Sequence, residues 1–181
     1  MMKLAQLDFF SANFTQKILS ESGELLQQGS GTLAISKPNL VHWQTVEPDE
    51  TSLISDGSTI WSYDPFIEQV NAYSLDKVID NTPILLLTSY DESLWDNYTV
   101  IHTEHDFIIT PLTQTSQIKS LRLRFSATDN RQLSEFSFKD VTGQISRIEL
   151  NQFNATDKPT YWVVWPHSVS KGWCDRITMN L

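Results

Sequence analysis

The sequence predicts a mainly β domain with short helices, built as an antiparallel meander that closes into a barrel or half-barrel. Apolar and polar residues alternate over many short stretches, as at Leu121, Leu123 and Phe125. Turn signals such as Asp56-Gly57 and Thr142-Gly143 separate these stretches at short intervals. Such closely spaced strands are typical of an antiparallel barrel.

Composition fits one domain spanning residues 1–181. Hydrophobic residues make up 40% and charged residues 19% of the 181 residues, as in a globular protein. The formal net charge is -9, which excludes nucleic acid as a partner because phosphate binding needs clustered Lys and Arg. Cys174 is the single cysteine, so an internal disulfide and a Cys-rich zinc site are both excluded.

Strands are predicted wherever apolar and polar residues continue to alternate along the sequence. The positions that set this pattern are Phe14, Ile18, Leu33, Ile35, Trp61, Tyr63, Phe136, Phe138, Ile148 and Leu150. Gly29-Ser30-Gly31 is interpreted as a strand kink. About ten or eleven antiparallel strands are expected.

Two stretches have helical spacing instead. Residues 4–10 carry Leu4, Leu7 and Phe10 on one face of a short amphipathic helix. Residues 74–95 begin with possible N-caps at Ser74 or Asp80 and have Pro83 in a first turn. An apolar run follows, made of Ile84, Leu85, Leu86 and Leu87, with Trp95 beyond it. These helices are expected to cover the apolar face of the sheet.

No pattern of catalytic or metal-binding residues stands out. His102 and His105 flank Glu104 in a predicted hairpin turn, and a solvated turn is favoured over a metal site. The acidic pair Asp49 and Glu50 is also interpreted as a solvated turn. The six glycines are scattered, and no Gly-x-Ser-x-Gly motif is present. We therefore expect no enzyme activity, cofactor or metal.

Aromatic residues on alternating positions have two interpretations. They could fill a packed core, which the pattern alone favours, or line an apolar cavity. The residues concerned are Phe14, Trp43, Trp61, Tyr63, Phe125, Phe136 and Phe138.

A series of short motifs resembles the outer-membrane lipoprotein carrier (LolA) family. They are Phe14-Thr15-Gln16, Gly31-Thr32-Leu33, Lys37-Pro38-Asn39-Leu40-Val41-His42-Trp43, Pro48-Asp49-Glu50, Ser55-Asp56-Gly57-Ser58-Thr59-Ile60-Trp61-Ser62-Tyr63-Asp64-Pro65-Phe66, Glu68-Gln69 and Asn81-Thr82-Pro83. The likeness covers roughly residues 4–158 in unbroken order.

The resemblance implies a strongly curved, open antiparallel sheet closed by a helical lid, with acyl chains held between them. Trp43, Trp61 and Phe136 should then face the helices, and a pocket should adjoin the run at 84–87. The implied cavity and lid residues are Leu4, Leu7, Phe10, Phe14, Leu33, Trp43, Trp61, Tyr63, Ile84, Leu85, Leu86, Leu87, Phe125, Phe136 and Phe138.

The resemblance also implies a function. Family members act in the periplasm and take lipid-modified proteins from an ATP-driven release complex in the inner membrane to a lipoprotein receptor at the outer membrane. A monomer is expected. The start of the chain is too short and polar for a signal peptide, so we expect that the signal peptide has been truncated from it.

Two positions depart from the family pattern. Lys37 stands where the family usually has an arginine that hydrogen-bonds lid carbonyls, here expected at Leu4, Ile84, Leu87 or Thr88. Lysine lacks the planar fork of arginine, so a looser latch is expected. Val41 replaces a large aromatic residue, which predicts weaker lid or partner contacts at this edge.

The tail at residues 160–181 matches the family poorly. It holds Trp162, Trp165 and Trp173. Reading one base later would turn Trp173-Cys174-Asp175 into glycine, then valine or alanine, then isoleucine or threonine, with a stop codon inside Met179-Asn180. A frameshifted tail is one hypothesis, which predicts poor order or a path across the surface. A divergent but genuine final strand is the other.

Three alternatives stay open. One is another lipid-binding module of the same fold, such as the outer-membrane receptor, although that protein needs an acylated N-terminal cysteine and Cys174 lies near the opposite end. A second is a hydrolase that uses His42 or the turn at 102–105. The third is a structural β-domain with a filled core.

Overall fold

The described part of the chain forms one twelve-stranded sheet. The structure, a computed structural model, describes residues 8–75, 86–113, 116–129, 132–156 and 177–180. The strands are β1 (Phe9–Leu19), β2 (Leu25–Ser36), β3 (Leu40–Glu47), β4 (Thr51–Asp56), β5 (Thr59–Asp64), β6 (Gln69–Ser74), β7 (Tyr98–His102), β8 (Asp106–Pro111), β9 (Ile118–Phe125), β10 (Leu133–Asp140), β11 (Ile145–Asn154) and β12 (Ile177–Asn180). Their order is β12-β6-β5-β4-β3-β2-β1-β11-β10-β9-β8-β7.

The sheet is open and almost wholly antiparallel. Strands β1 to β11 pair antiparallel, as predicted, whereas β12 adds to β6 in parallel. The two edges are β12 and β7, which have no neighbour beyond them in the described sheet. Residues 75–97 connect β6 to β7, so this connection joins the two sides of the open sheet.

Strong curvature brings distant strands together. Trp43 on β3 and Phe136 on β10 lie four strand spacings apart, which would be about 19 Å in a flat sheet. Their ring centroids are nevertheless 6.0 Å apart. The sheet therefore bends toward the face that carries these two residues, which we call the inner face.

Glycine in β2 permits a close approach of the neighbouring backbone. Gly31 pairs with Phe14 on one side and Thr45 on the other. A Cβ atom at Gly31 would overlap the carbonyl oxygen of Gln44 and lie 2.8 Å from Cζ of Phe14. The predicted kink at Gly29-Ser30-Gly31 is thus a place where two strands and an aromatic ring crowd together.

The hydrophobic core lies on the inner face. The register aligns Leu123, Phe136 and Ile148 across three strands, so their side chains share this face. The most deeply buried members are Phe10, Phe14, Leu33, Ile35, Val41, Ile109, Leu121, Leu123, Leu133, Phe136 and Ile148. The opposite, outer face carries the alternate residues of each strand.

The predicted helix over residues 4–10 is corrected where the structure describes it. Phe9 and Phe10 lie within β1, paired with Ser36 and Ile35, so residues 4–10 do not form one helix. The backbone of β1 is hydrogen-bonded on both sides, to β2 and β11, and this pairing outweighs the local helical spacing. Leu4 and Leu7 lie outside the described residues.

The structure describes the connection from β6 to β7 at Leu75 and at residues 86–97, so the predicted helix over the rest of 74–95 stays a prediction. Ser74 is the last residue of β6, and Asp80 and Pro83 lie outside the described residues. A 3-10 helix spans Glu92–Asn97, where the Asp91 side chain accepts a hydrogen bond from the Ser93 amide. None of the helical segments in the described ranges is long and apolar enough to cross a membrane.

The sheet has two distinguishable ends. The upper end carries the turn at 37–39 between β2 and β3. The lower end carries the turn at 48–50 between β3 and β4, together with the hairpins that join β1 to β2, β5 to β6, β8 to β9 and β10 to β11.

Candidate apolar binding site

Aromatic rings line the centre of the inner face. The ring of Trp43 lies 4.7 Å from that of Phe14 and 6.0 Å from that of Phe136, centroid to centroid. Phe14 and Phe136 are buried, whereas Trp43 and Phe138 are partly buried at the margin of the core. The centre of the inner face is therefore a continuous apolar surface.

Trp61 and Tyr63 do not belong to this surface, which corrects the prediction. Trp43 pairs with Leu53, while Trp61 pairs with Ile54 on the same strand β4. Because adjacent residues of a strand point to opposite faces, Trp61 and Tyr63 lie on the outer face. Ile60 is the core residue of β5 instead. The alternation did not indicate which face of β5 is the inner one, because both faces of the sheet are apolar at this strand. Ile54, Val70 and Ala72 are buried on the outer face.

Leucines from the connecting segment fill the upper end of the inner face. Leu86 and Leu87 are each 2% exposed and share the core cluster with Val41 and Ile60. Leu94 and Trp95 of the 3-10 helix pack against the same cluster. Residues 86–97 thus cover the open side of the sheet, and we call them the cover segment.

The predicted pocket beside residues 84–87 stays a prediction. Leu86 and Leu87 are buried and belong to the core cluster of the inner face. Ile84 and Leu85 lie outside the described residues. In this structure the apolar inner face is covered by side chains of the same chain.

Hydrogen bonds tie the cover segment to the upper turn. The Asn39 amide donates to the Thr88 carbonyl at 2.9 Å, and the Thr88 hydroxyl donates to Oδ1 of Asn39 at 3.2 Å. Asn39 has a φ of 56°, a left-handed conformation that asparagine tolerates better than most residues. The Ser55 hydroxyl donates a hydrogen bond to the Asn39 carbonyl at 2.6 Å. This contact was not foreseen, although Asn39 stands within one of the quoted motifs.

Lys37 is buried beside this contact. It is 7% exposed, and its Nζ lies 3.9 Å from a carboxylate oxygen of Asp8 and 5.6 Å from the centre of the Tyr90 ring. Its side chain therefore approaches the cover segment and avoids solvent, as the latch hypothesis requires. Two of the carbonyls expected to accept from it, those of Leu4 and Ile84, lie outside the described residues. A buried ammonium is costly unless it has partners, so these contacts favour the closed arrangement.

Val41 does not lie at an exposed edge. It is 1% exposed and belongs to the core with Leu86 and Leu87. The structure therefore corrects the partner-contact interpretation and retains the contact with the cover segment. Alternation along β3 places Val41 and Trp43 on the same face, and this face is the inner one.

The histidines do not assemble a site. His42 lies on the outer face of β3, and burial lowers its pKa. His102 lies on the edge strand β7, where its ring contacts Phe107 at 4.3 Å. Within the described ranges, no group of three His, Cys, Asp or Glu residues could hold a metal ion.

The tail adds a strand to the sheet. Residues Ile177–Asn180 form β12, paired with Val70 to Tyr73 of β6. Trp162, Trp165 and Trp173 lie outside the described residues, so the frameshift hypothesis stays a prediction.

Fold and site together define a class of protein: an open, curved β-sheet whose apolar inner face is covered by a segment of its own chain. The family model for outer membrane lipoprotein carrier protein LolA matches residues 5–161. The chain belongs to this family.

Individual relatives agree with that assignment. The chain is 46% identical over 143 residues to the outer-membrane lipoprotein carrier protein of Haemophilus influenzae, covering 79% of this chain and 69% of the relative. It is 41% identical over 152 residues to the protein of that name from Photobacterium profundum, covering 84% and 75%. An uncharacterized conserved protein from Thermus thermophilus has the same fold, with a TM-score of 0.54, 9% identity and coverage of 96% and 91%.

Proposed function

We propose that this protein is a lipoprotein carrier of the periplasm, which shields acyl chains against the inner face of its sheet. The observation that carries the proposal is the apolar inner face covered by Leu86 and Leu87 from the chain itself. Cargo would come from the ATP-driven release complex of the inner membrane and pass to the lipoprotein receptor at the outer membrane. We also propose that the lid is helical. The 3-10 helix in the cover segment supports this part of the proposal.

The energetics suit a carrier. Each exposed CH₂ group costs about 0.8 kcal/mol, so a sixteen-carbon chain would cost about 12 kcal/mol in water. The carrier must hide its own apolar surface when empty, because a large exposed patch leads to aggregation. In the proposed cycle, acyl chains replace Leu86 and Leu87 on the inner face. Exchanging one apolar contact for another leaves a modest net affinity, which permits transfer.

A reversible disulfide tests whether the cover segment must move. Asn39 and Thr88 are joined by two hydrogen bonds, so Asn39→Cys with Thr88→Cys, in a Cys174→Ser background, should form a bond across this contact. The oxidised variant should fail to bind a fluorescent sixteen-carbon acyl probe, and reduction should restore binding. The reduced form controls for the substitutions themselves.

A second disulfide provides the matched control. Thr32 and Gln44 are paired on the outer face of β2 and β3, away from the cover segment. Thr32→Cys with Gln44→Cys should leave acyl binding unchanged in both redox states. Equal binding by the oxidised and reduced Asn39–Thr88 variant would argue that the cover segment is not the lid.

A further inference from the structure

Large apolar side chains are exposed at the lower end of the sheet. Phe66, in the turn between β5 and β6, is 92% exposed, and Ile67 beside it is 57% exposed. The other exposed apolar residues at this end are Leu25, Leu26, Val46, Leu112 and Val141. Exposed apolar groups gathered at one end of a molecule indicate an interaction surface.

The same end is acidic. Carboxylates occupy its turns and strand ends at Glu21, Glu24, Glu47, Asp49, Glu50, Asp64, Glu68 and Asp140. Lys119 and Lys139 are the cations at the strand ends here within the described ranges. A partner for this surface must therefore carry positive charge beside apolar groups.

A cleft of about 480 Å³ opens at this end. The residues that line it include Gln16, Gln27, Asp49, Asp64 and Phe66. Neither aspartate forms an ion pair within the described part of the chain. Asp64 receives the amides of Phe66 and Ile67 on Oδ1, which leaves Oδ2 for another donor.

We propose that this cleft docks a basic polypeptide segment of a partner protein, with one arginine or lysine between Asp49 and Asp64 and an adjacent apolar side chain on Phe66. The carboxylates supply charge and the ring supplies both apolar and cation–π contact. The glutamine amides can bond the partner's backbone. The cleft lies at the lower end of the inner face, where Thr45 and Thr51 line it, and away from Leu86 and Leu87 at the upper end. The proposal is argued from the charge and the exposed ring at this end and does not depend on acyl binding.

A titration with a defined peptide tests the proposal. The probe is a ten-residue peptide in which arginine alternates with leucine, and a glutamate-leucine peptide is the charge control. In amide NMR spectra of the intact chain, shifts should concentrate at residues 45–51 and 64–68. Asp49→Asn with Asp64→Asn should weaken binding about tenfold, as expected for the loss of about 1.4 kcal/mol.

Matched variants decide the outcome. Glu104→Gln with Glu149→Gln removes the same charge away from the cleft and should change peptide affinity less than about twofold. Equal weakening by both double variants, or shifts spread over the molecule, would overturn the proposal. Binding of the acyl probe should be unchanged in the Asp49 and Asp64 variant. Failure of the peptide-docking proposal is therefore distinguishable from failure of the proposed carrier function.

Discussion

Gly31 shows at the scale of one residue how a missing side chain permits curvature. Its pairing partners bring the Gln44 carbonyl and the Phe14 ring to the place a Cβ would occupy. Sequence alone suggested a kink here, because glycine in a strand interior often marks close approach. It could not tell which groups approach, since these come from residues far along the chain.

Replacing Gly31 with alanine should therefore destabilise the fold. We expect a loss of about 2 kcal/mol, typical of an overpacked core position. Urea unfolding monitored by circular dichroism would measure it. Thr32→Ala, on the exposed outer face of the same strand, is the control and should stay within about 0.5 kcal/mol. Similar losses for both variants would contradict the role of close approach.

Lys37 makes a second residue-scale prediction. Lys37→Leu should leave the fold intact but bias the cover segment open, because the contacts with Asp8 and Tyr90 are lost. The variant should accept acyl cargo and give it up poorly. Transfer to a purified receptor should fall about tenfold if the latch contributes about 1.4 kcal/mol.

Lys17→Leu is the matched control, since Lys17 is a half-exposed lysine paired with Glu149 at 3.9 Å. Exposed ion pairs contribute little, so its transfer should match the parent. Unchanged transfer by the Lys37 variant would count against the latch.

At the scale of elements, the cover segment competes with cargo for the inner face. Leu86→Ala should lower stability by about 3 kcal/mol, since a 2% exposed leucine is truncated. The same change should tighten binding of an acyl probe, because fewer contacts oppose its entry. Ile54→Ala, buried at 4% on the outer face, should lower stability without tightening binding. Tighter binding by both variants would point to general loosening.

Strands β8 and β9 are joined on the outer face by Asp106, which pairs with Arg122 and Arg124. The hydrogen bond from Arg122 lowers the pKa of Asp106 from its ordinary value near 3.8 to about 2, with partial burial opposing this and Arg124 adding to it. The carboxylate therefore stabilises the fold above pH 3.8, and this contribution is lost as pH falls toward 2.

Asp106→Asn should consequently reduce stability at neutral pH, and the gap from the parent should narrow between pH 4 and pH 2. Urea midpoints over this range would measure it. In an Arg122→Gln, Arg124→Gln background the Asp106→Asn change should have little effect at any of these pH values. A gap that stays constant with pH would show that the ion pairs do not cause it.

At the scale of the whole molecule, the face that holds cargo can be determined with two tryptophans. Trp43 lies on the inner face and Trp61 on the outer face. An acyl chain brominated near its middle should quench Trp43 but not Trp61. In a Trp95→Phe background, which removes the cover-segment tryptophan packed on the same cluster, Trp43→Phe should therefore lower the quenching on loading, and Trp61→Phe should retain it. The opposite result would place the cargo on the outer face.

The sequence by itself determined that the chain is an antiparallel meander. Alternation at Leu121, Leu123 and Phe125 and the turn at Thr142-Gly143 encode strands and hairpins locally, because strand period and turn conformation depend on near neighbours. The ordered motifs likewise indicated the family, which the match over residues 5–161 confirmed.

Tertiary structure decided what local pattern could not. Phe10 has helical spacing from Leu7 but belongs to a strand, since its backbone pairs with Ile35 of β2. Trp61 alternates as regularly as Trp43, yet long-range pairing places it on the opposite face. Asn39 meets Thr88 across 49 residues. Alternation defines two faces for each strand, but only the pairing of distant strands determines which face is enclosed.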